Sequence, residues 1–559
     1  MLVTRENFEQ ALSQITSDSL VVDTETTGLH PYWRRKAPAD KAGGIAIKSD
    51  AFVGYFPVRH AGGQNIEQGQ YARLIERMNE VTTIVNHNTM FDVNMLAQDG
   101  LDRPGRTVDT MVGLHLMNEN GSKKLKVAAD KYLGGDSSKE EHGLHQLLRT
   151  NGLMVNQMWR LAPGQVAPYA CQDVILAERL DAYLREKLYT PRLYDELNSF
   201  AQMLGDMEYT GIKVDVATLT ALANEAEAEA SASLKRIEAM AGGPINPNSS
   251  GQVRYWLHTP DATEETLSAM KDPRADEILT YKAWRKACDS YYGPYREWMD
   301  ENHVIHAGFN PCGTVSGRIS SSDPNLTAVP RMSTEYKVKK VFHARPGKRF
   351  LEADYSQAEV RMAAHYTQDA RLKEIFASGQ DLHSAVAADM GVSRQVGKTI
   401  NLSILYGIGA KRLGISLGVP KRKAQEYLDT YNTNFPGIKK MMRKAEGVAS
   451  ERGYIQMYSG RRRHFNCADA DPKDAFNNII QGGIGEMVRR TMVKLRRTIP
   501  EAVCVLQVHD SLMFEVDEDR VGEIAPDIRK LMEDQPWCTC PVKVDMKTGQ
   551  SWGDMKEVK

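Results

Sequence analysis

Short strand-like segments that lead into aspartates recur at three distant places in the chain. They are residues 19–22 before Asp23, residues 349–353 before Asp354, and residues 502–508 before His509 and Asp510. Residues 19–22 have the pattern of a short buried β-strand, and the other two segments also read as strands. A fold that contains all three places carboxylates where strands end, so we expect a mixed fold of sheets and helices with acidic sites.

The length of 559 residues corresponds to roughly three to four domains of about 150 residues each. Hydrophobic residues make up 42% and charged residues 26%, which is typical of a globular chain. No apolar run is long enough to span a bilayer, and the N-terminal sequence MLVTRENFEQ lacks the layout of a signal peptide. We therefore expect a cytoplasmic protein with no membrane partner and with reduced cysteines.

The pattern of the chain changes near residues 185–195. The segment before it reads as α/β, with helical spacing at residues 70–78 and 166–184. After it, Asp215 is a candidate cap for an Ala/Glu-rich helix that Gly242-Gly243-Pro244 would end. We place a domain boundary in this region.

One group of carboxylates lies in the N-terminal segment. Asp23 and Glu25 are two positions apart on an extended stretch, so their side chains point to the same side. Two such anions favour a hard cation such as Mg²⁺, and Asp92 and Asp173 are candidates to complete the set. Tyr169 stands four residues before Asp173 and hence on the same face of a helix. An acidic turn after a strand is common by itself; the ordered combination is what indicates a site.

The sequences DTETTGL, NHNTMFD and YxxxD, in that order, resemble the three exonuclease motifs of the DEDD proofreading nucleases. The resemblance implies a ribonuclease H-like fold in which Asp23, Glu25, Asp92 and Asp173 hold two metal ions. It also implies that Tyr169 orients the attacking water. Asp109, in TVDTM, is expected to be structural.

A second pattern lies in RQVGKTINLSILYG. Arg394, Lys398, Leu402 and Tyr406 recur every four residues and form one stripe on a helix, cationic at one end and aromatic at the other. A nucleoside triphosphate needs both kinds of surface. From Arg394 to Arg463 the chain has fifteen Lys/Arg and four Asp/Glu, although the whole chain has a net charge of -1. This clustering predicts phosphate contacts, and a solvated helix face is the alternative.

The segments DYSQAEVR, RxxxKxxxLxxxYG and VHD resemble motifs A, B and C of family A DNA polymerases. Further matches are TVSGRISSSDPNL, DLHS, GRRR and AFNNIIQG, in the family's order over nearly the whole chain. The resemblance implies a ribonuclease H-like exonuclease domain followed by a right-hand polymerase domain. The implied ranges are 1–190 for the exonuclease and 191–559 for the polymerase, with the thumb at about 197–311, the palm at about 312–375 and 465–559, and the fingers at about 376–464.

The resemblance also implies roles for single residues. Asp354, Asp510 and the Tyr355 carbonyl would hold the catalytic metal ions, and Lys398 would also act as the general acid for pyrophosphate. The dNTP pocket would consist of Arg394, Lys398, His383, Gln357, Glu359, Leu402 and Tyr406, with Glu359 and Tyr406 excluding a 2′-hydroxyl. The DNA contacts would be Arg318, Asn477, Gln481, His509, Arg461 and Arg462.

Two positions depart from the family pattern. Leu402 stands where Phe or Tyr is usual, and Ser511 replaces the usual Glu after His-Asp. Because Leu402 offers neither an aromatic face nor a hydroxyl, we expect slower incorporation and strong rejection of dideoxynucleotides. Ser511 leaves the expected metal ligand Asp510 in place.

The sequence thus predicts a DNA-dependent DNA polymerase with a proofreading exonuclease. Its cofactor would be Mg²⁺, two ions per active site, with Mn²⁺ able to substitute. Its partners would be primer-template DNA, dNTPs and a single-stranded primer 3′ end, with a replisome helicase, primase or processivity factor as candidates for a protein partner. We expect a monomer.

Because exonuclease motif I begins at residue 23, no room remains for a 5′-nuclease domain, which favours a bacteriophage replicative enzyme. The alternatives are a gap-filling repair polymerase, a nuclease only, and a non-catalytic DNA-binding accessory.

Overall fold

The computed structural model describes residues 1–32, 34, 38–332 and 336–558. Its N-terminal part alternates strands with helices, which confirms the predicted α/β character. In chain order the elements are α1 Phe8–Ser13, β1 Ser19–Thr26, β2 Ala42–Ser49, β3 Phe52–Pro57, α2 Gln68–Asn79, β4 Thr83–Asn86, α3 Thr89–Ala97, β5 Arg106–Asp109, α4 Thr110–Met117, α5 Leu125–Leu133, α6 Lys139–Thr150 and α7 Pro163–Lys187.

The five N-terminal strands form one sheet in the order β3-β2-β1-β4-β5. β1 pairs antiparallel with β2 and parallel with β4, and β5 extends the parallel side. Leu20 and Val22 are buried in one apolar cluster and Val21 in another. β1 is therefore a central strand that is covered on both faces.

β1 is longer than the sequence predicted. The expected strand was residues 19–22 with Asp23 at its end, but the strand continues to Thr26 because residues 23–26 pair with β2. Asp23 and Glu25 therefore lie within the strand. Alternation places both on the face of Val21, where α7 packs. The prediction that the two carboxylates share a side follows from this register.

A mainly helical segment comes next. Its elements are α8 Pro191–Thr210, β6 Ile212–Lys213, α9 Val216–Ala241, α10 Ser250–Leu257, α11 Glu264–Ala269, α12 Pro273–Ala287, α13 Gly293–Trp298, β7 Val304–Ile305, β8 Gly308–Asn310 and β9 Ser320–Ser322. The Asp215 side chain accepts the Thr218 N–H at the start of α9, and Gly242 ends the helix with a φ of 73°. Both predicted helix ends are confirmed.

The C-terminal part contains a second sheet and a run of helices. Its elements are β10 Lys348–Tyr355, α14 Ala358–Thr367, α15 Ala370–Ala377, α16 Leu382–Met390, α17 Arg394–Leu405, α18 Ala410–Leu417, α19 Lys421–Asn434, α20 Pro436–Arg452, β11 Tyr454–Gln456, β12 Arg462–His464, α21 Ala475–Thr498, β13 Val503–Val508, β14 Ser511–Asp517, α22 Val521–Glu533, β15 Val544–Gly549 and β16 Lys556–Glu557.

The second sheet is antiparallel throughout, in the order β13-β14-β10-β15-β16. Its two predicted strands, at residues 349–353 and 502–508, are confirmed as β10 and β13. The long helix α21 packs against both α8 and α14, and one continuous apolar cluster joins α8 to this sheet. Among the described residues, none of the helices is both long and apolar enough to cross a membrane.

Candidate active sites

The N-terminal sheet carries a buried group of carboxylates on the face covered by α7. Glu25, Asp92 and Asp173 are each less than a tenth exposed. Burial raises the pKa of Asp23 to about 6. Burial, together with repulsion from Asp23 and Asp92, raises the pKa of Glu25 well above its usual range. The structure thus brings together Asp23 and Glu25 of β1 with Asp92 of α3, as the sequence predicted, and Asp173 of α7 is connected to them through Lys126.

Hydrogen bonds from β1 orient Asp92. The Thr24 backbone N–H donates to Asp92 Oδ1 at 3.0 Å, and the Thr24 hydroxyl donates to the same oxygen at 2.7 Å. These bonds favour the ionised carboxylate, but burial and Asp23 still raise the pKa of Asp92 well above its usual range. Asp92 is therefore held beside Asp23 at a cost that a bound cation would relieve.

Lys126, on α5, lies among these carboxylates and was missed by the sequence analysis. Its Nζ forms an ion pair with Asp173 and lies 4.6 Å from the ring centroid of Tyr169. Tyr169 and Asp173 are one turn apart on α7, as predicted. The available signal was a lysine on the buried side of the amphipathic helix α5, between Leu125 and Ala128.

Asp109 has the structural role that the sequence predicted. Its side chain accepts the backbone N–H groups of Asn88, Thr89 and Met111 at 2.9, 3.1 and 2.9 Å. It thereby caps α4 and fixes the turn that leads into α3. This use of both oxygens leaves Asp109 as a scaffold beside the carboxylate group.

The second carboxylate group lies on the C-terminal sheet. Asp354 is on β10, opposite Ser511 on β14. β13 and β14 are joined by a tight turn in which His509 has a φ of 57°, and this turn carries Asp510. The Tyr355 N–H donates to the Asp510 carbonyl at 3.3 Å, which holds the turn against β10. The two aspartates are thus neighbours although they are far apart in sequence.

Two further acids surround Asp354, and the sequence analysis missed both. Burial, followed by repulsion from Asp510, Glu352 and Asp545, raises the pKa of Asp354 to about 7. Asp545 faces Asp354 across the β10–β15 pair. Glu352 is two positions before Asp354, and its Oε1 accepts the Ser511 hydroxyl at 3.4 Å. The two-residue alternation along β10 could have indicated Glu352. The position of Asp545 beside Asp354 depends on the register between β10 and β15.

The predicted stripe lies on α17, and Tyr406 is the residue that ends the helix. Arg394 donates to both oxygens of Asp381 at 2.9 and 3.0 Å. The buried His383 contacts Asn401 at 3.1 Å, and burial lowers its pKa. Within the described residues Lys398 forms no ion pair, so its ammonium is available to a ligand.

Other predicted pocket residues meet at the C-terminal end of α17. The Tyr406 hydroxyl donates to Glu359 Oε1 at 2.6 Å, and an Arg318 guanidinium nitrogen lies 3.8 Å from the same oxygen. Gln481 donates to Asn477 at 3.1 Å on α21.

At the N-terminal end of α17, Gln357 donates to Asp381 at 3.2 Å, and Leu402 is half-buried between the two ends of α17. His509 is exposed on its turn.

The structure corrects the prediction that Arg461 contacts DNA. Its side chain is only 2% exposed, and its guanidinium contacts His115 Nδ1 at 2.7 Å. The β11–β12 hairpin packs against the N-terminal domain, so this arginine is enclosed between the domains and does not face DNA. Arg462 lies between the rings of Tyr189 and Tyr454, at 4.0 and 4.4 Å from their centroids, and is half-buried.

The donor chemistry of both groups fits divalent cations, because Mg²⁺ and Mn²⁺ prefer carboxylate oxygens. Buried carboxylates with raised pKa values are uncompensated negative charge, which a cation would stabilise. The described residues do not, however, contain three or more acidic, His or Cys side chains already arranged to hold a metal ion. In the N-terminal group, Lys126 takes the position beside Asp173.

Comparison with known proteins agrees with this two-domain arrangement. Residues 2–189 match the family model described as 3'-5' exonuclease, and residues 216–554 match the model described as DNA polymerase family A. The fold is that of a polymerase preceded by an exonuclease domain, which confirms the predicted order. Because the polymerase model covers more than half of the chain, this protein belongs to DNA polymerase family A.

Its relatives include bacterial DNA polymerases I. The enzyme of Chloroflexus aurantiacus is 30% identical over 95% of this chain and 61% of that protein. The thermostable DNA polymerase I of Thermus thermophilus is 32% identical over 70% of this chain and 53% of that protein. The chain thus spans between about half and three fifths of the length of these relatives.

A solved structure shares the fold. It is the POL domain of Pol1 from M. smegmatis in complex with DNA primer-template and dNTP, with a TM-score of 0.82 and 23% identity. The similarity covers 99% of this chain and 98% of that one. At this identity the likeness establishes the fold.

The raised pKa of Asp354 predicts a pH-dependent gain in stability for Asp354→Asn. A carboxyl whose pKa is higher in the folded state, about 7 against 3.8, destabilises the fold as pH rises through that interval. The gain in Tm without divalent cations should be absent at pH 3, grow between pH 4 and 7, and be complete at pH 8. The corresponding gain in the free energy of unfolding has an upper limit of about 4 kcal/mol, from about 1.4 kcal/mol per pKa unit.

Thermal unfolding of both proteins in EDTA across this pH range measures the difference. Asp527→Asn, on the exposed side of α22, is the control for the removal of a surface carboxylate. A gain of equal size at pH 3 and pH 8 would contradict the raised pKa.

Proposed function

We propose that this chain is a template-directed DNA polymerase that adds dNMPs from dNTPs to a primer 3′ end and removes nucleotides from that end by a 3′-5′ exonuclease activity. One observation carries the proposal: a family A polymerase chain in which two separate carboxylate groups lie on two different sheets. A protein that only binds DNA needs cations and has no use for buried acid. The carboxylates support catalysis at both places.

In the polymerase site, Asp354, Asp510 and the Tyr355 carbonyl would hold Mg²⁺, or Mn²⁺ in its place. A bound divalent cation would supply a Lewis acid that neutralises charge on the reacting phosphate. Lys398 and Arg394 bind the triphosphate with His383, and Lys398 donates a proton to the pyrophosphate. The ammonium of Lys398, which forms no ion pair within the part of the chain that the structure describes, supports this role.

The remaining pocket residues select the sugar and hold the DNA. Tyr406 and Glu359 are joined by a hydrogen bond and form a fixed wall that excludes a 2′-hydroxyl. Arg318, Asn477, Gln481 and His509 contact the primer end and the minor groove, where acceptors lie at similar places for every base pair. Arg462, Gln357 and Leu402 complete the proposed contacts.

We assign the thumb to about 197–311, the palm to about 312–375 and 465–559, and the fingers to about 376–464.

In the exonuclease site, Asp23, Glu25, Asp92 and Asp173 would hold the divalent cations, and Tyr169 orients the attacking water. The substrate is the single-stranded 3′ end of the primer. Whether the enzyme replicates phage DNA or fills gaps is decided by processivity on long templates. The role that we favour is replication of phage DNA. In this role the chain acts as a monomer, with a helicase, primase or processivity factor as partner.

A primer-extension gel tests the assignment of the two sites. With a 5′-labelled primer on a longer template and Mg²⁺, we expect extension with dNTPs and shortening without them. Asp354→Ala should abolish only extension, and Asp23→Ala only shortening, because the carboxylates lie on different sheets. Shortening alone would leave a nuclease. A shifted but unaltered primer would leave a DNA-binding accessory, and either result would refute the proposal.

Substitutions at Leu402 test the consequence of the missing aromatic ring. Leu402→Phe should raise the dNTP incorporation rate by about fivefold, the value of one stacking contact of roughly 1 kcal/mol. Leu402→Tyr differs from it by one hydroxyl and should in addition relax the rejection of dideoxynucleotides. Single-turnover incorporation measures both effects. An unchanged rate for Leu402→Phe would show that this position does not limit incorporation.

The salt dependence of DNA binding tests the basic segment between Arg394 and Arg463. Four or more phosphate contacts should give a slope of log K against log salt of about -3.6 or steeper. Arg461→Gln should leave that slope unchanged, because the buried Arg461 releases no counterion from DNA. Fluorescence anisotropy on primer-template DNA gives the slopes. A shallow slope for the unaltered chain would place the DNA elsewhere.

A further inference from the structure

Lys126 is a buried ammonium inside the proposed exonuclease site, and no assigned role accounts for it. Its side chain is 7% exposed and that of Asp173 is 9% exposed. Burying an ammonium is costly unless an anion accompanies it, and the ion pair with Asp173 provides that anion. The ammonium is therefore held in place by its ion pair with Asp173.

The charge of Lys126 acts on several acids and not on Asp173 alone. Apart from Asp173, the acids with the greatest influence on it are Asp23 on β1 and Glu141 at the start of α6, followed by Glu25 and Glu140. The ring centroid of Tyr169 is 4.6 Å from Nζ. One lysine thus interacts both with the buried carboxylates of β1 and with the acids in the first turn of α6.

We propose that Lys126 is a resident counter-cation that competes with the divalent cation for Asp173 and thereby raises the cation concentration that the exonuclease site requires. This inference rests on the proposed function of the site. An ammonium and a divalent cation at the same carboxylate repel each other strongly in a partly buried site. Cation binding at Asp173 is therefore weakened while Lys126 Nζ contacts it, and it is favoured when Nζ moves away.

The structure offers Nζ an alternative position. Glu140 and Glu141 are half-buried acids in the first turn of α6, and both already attract Lys126. The lysine stem is long and flexible, so Nζ can move toward them while its methylene groups stay on the apolar side of α5. Lys126 would then lie beside Asp173 at low cation concentration and beside α6 when the site is loaded.

Replacing Lys126 with Met separates competition from simple ion pairing. Competition predicts that Lys126→Met binds Mn²⁺ at the exonuclease site at least about tenfold more tightly, because a nearby like charge is removed. Without divalent cations the variant should have a lower Tm, since the carboxylates lose the cation that contacts them among the described residues. The rise in Tm on adding Mn²⁺ should be larger than in the unaltered chain.

Isothermal titration calorimetry with Mn²⁺ and thermal unfolding supply these readouts, in an Asp354→Asn, Asp510→Asn background that suppresses cation binding at the polymerase site. Lys126→Arg keeps the charge and should retain the weaker affinity. Lys131→Met is the matched control: Lys131 is on the same helix, also over a tyrosine ring at 4.9 Å, but it is exposed. It should change neither the affinity nor the Tm response.

Unchanged or weaker Mn²⁺ affinity in Lys126→Met would overturn the proposal and leave Lys126 as a structural ion pair. If Lys126→Met does not fold, Lys126→Gln removes the same charge and is judged by the same affinities. These measurements do not require nuclease activity. Tighter binding in a chain that never shortens a primer would support the competition and refute the proposed function, whereas shortening with unchanged affinity would do the opposite.

Discussion

The concentration of carboxylates in two buried or partly buried places is the constraint on which the rest of the arrangement depends. Like charges that share a site repel, and burial adds to the cost, as the raised pKa values of Glu25, Asp92 and Asp354 show. Such carboxylates remain close to one another only if rigid elements of the fold hold them in place. Here β1 and β10 do so, because each is a strand with paired neighbours on both sides and a buried residue between its acids, Thr24 in β1 and Ala353 in β10.

The parts of these sites that depend on local periodicity could be predicted from the sequence. The shared side of Asp23 and Glu25 follows from the two-residue period of a strand, and the stripe on α17 follows from the helical period. Lys126 and Asp545 could not be predicted in the same way. The first depends on how α5 packs on α7, and the second on the register between β10 and β15, which no single segment encodes.

The contact between the domains explains why the prediction for the basic segment was incomplete. Charge clustering indicated phosphate contacts from Arg394 to Arg463, but the end of that segment belongs to the β11–β12 hairpin. There Arg463 donates to Glu119 at 2.8 Å, and Arg461 contacts His115 at 2.7 Å, so both cations are buried against residues of the N-terminal domain. A motif of three arginines therefore holds two domains together as well as presenting charge.

The two carboxylate groups differ in the source of their compensating charge. In the N-terminal group a lysine contacts one of the acids directly. In the C-terminal group, Asp354 and Asp510 form no ion pair with the described residues. Lys547 and Arg318 stabilise their ionised forms only weakly and do not outweigh burial. Ser511 removes one acid from the expected motif, yet Glu352 faces its hydroxyl from β10, so the negative charge around Asp354 is retained. Lys126 thus partly neutralises the N-terminal group, whereas the negative charge of the C-terminal group is not neutralised by an ion pair with the described residues. Two sites of similar composition therefore differ in how strongly an external cation would stabilise them.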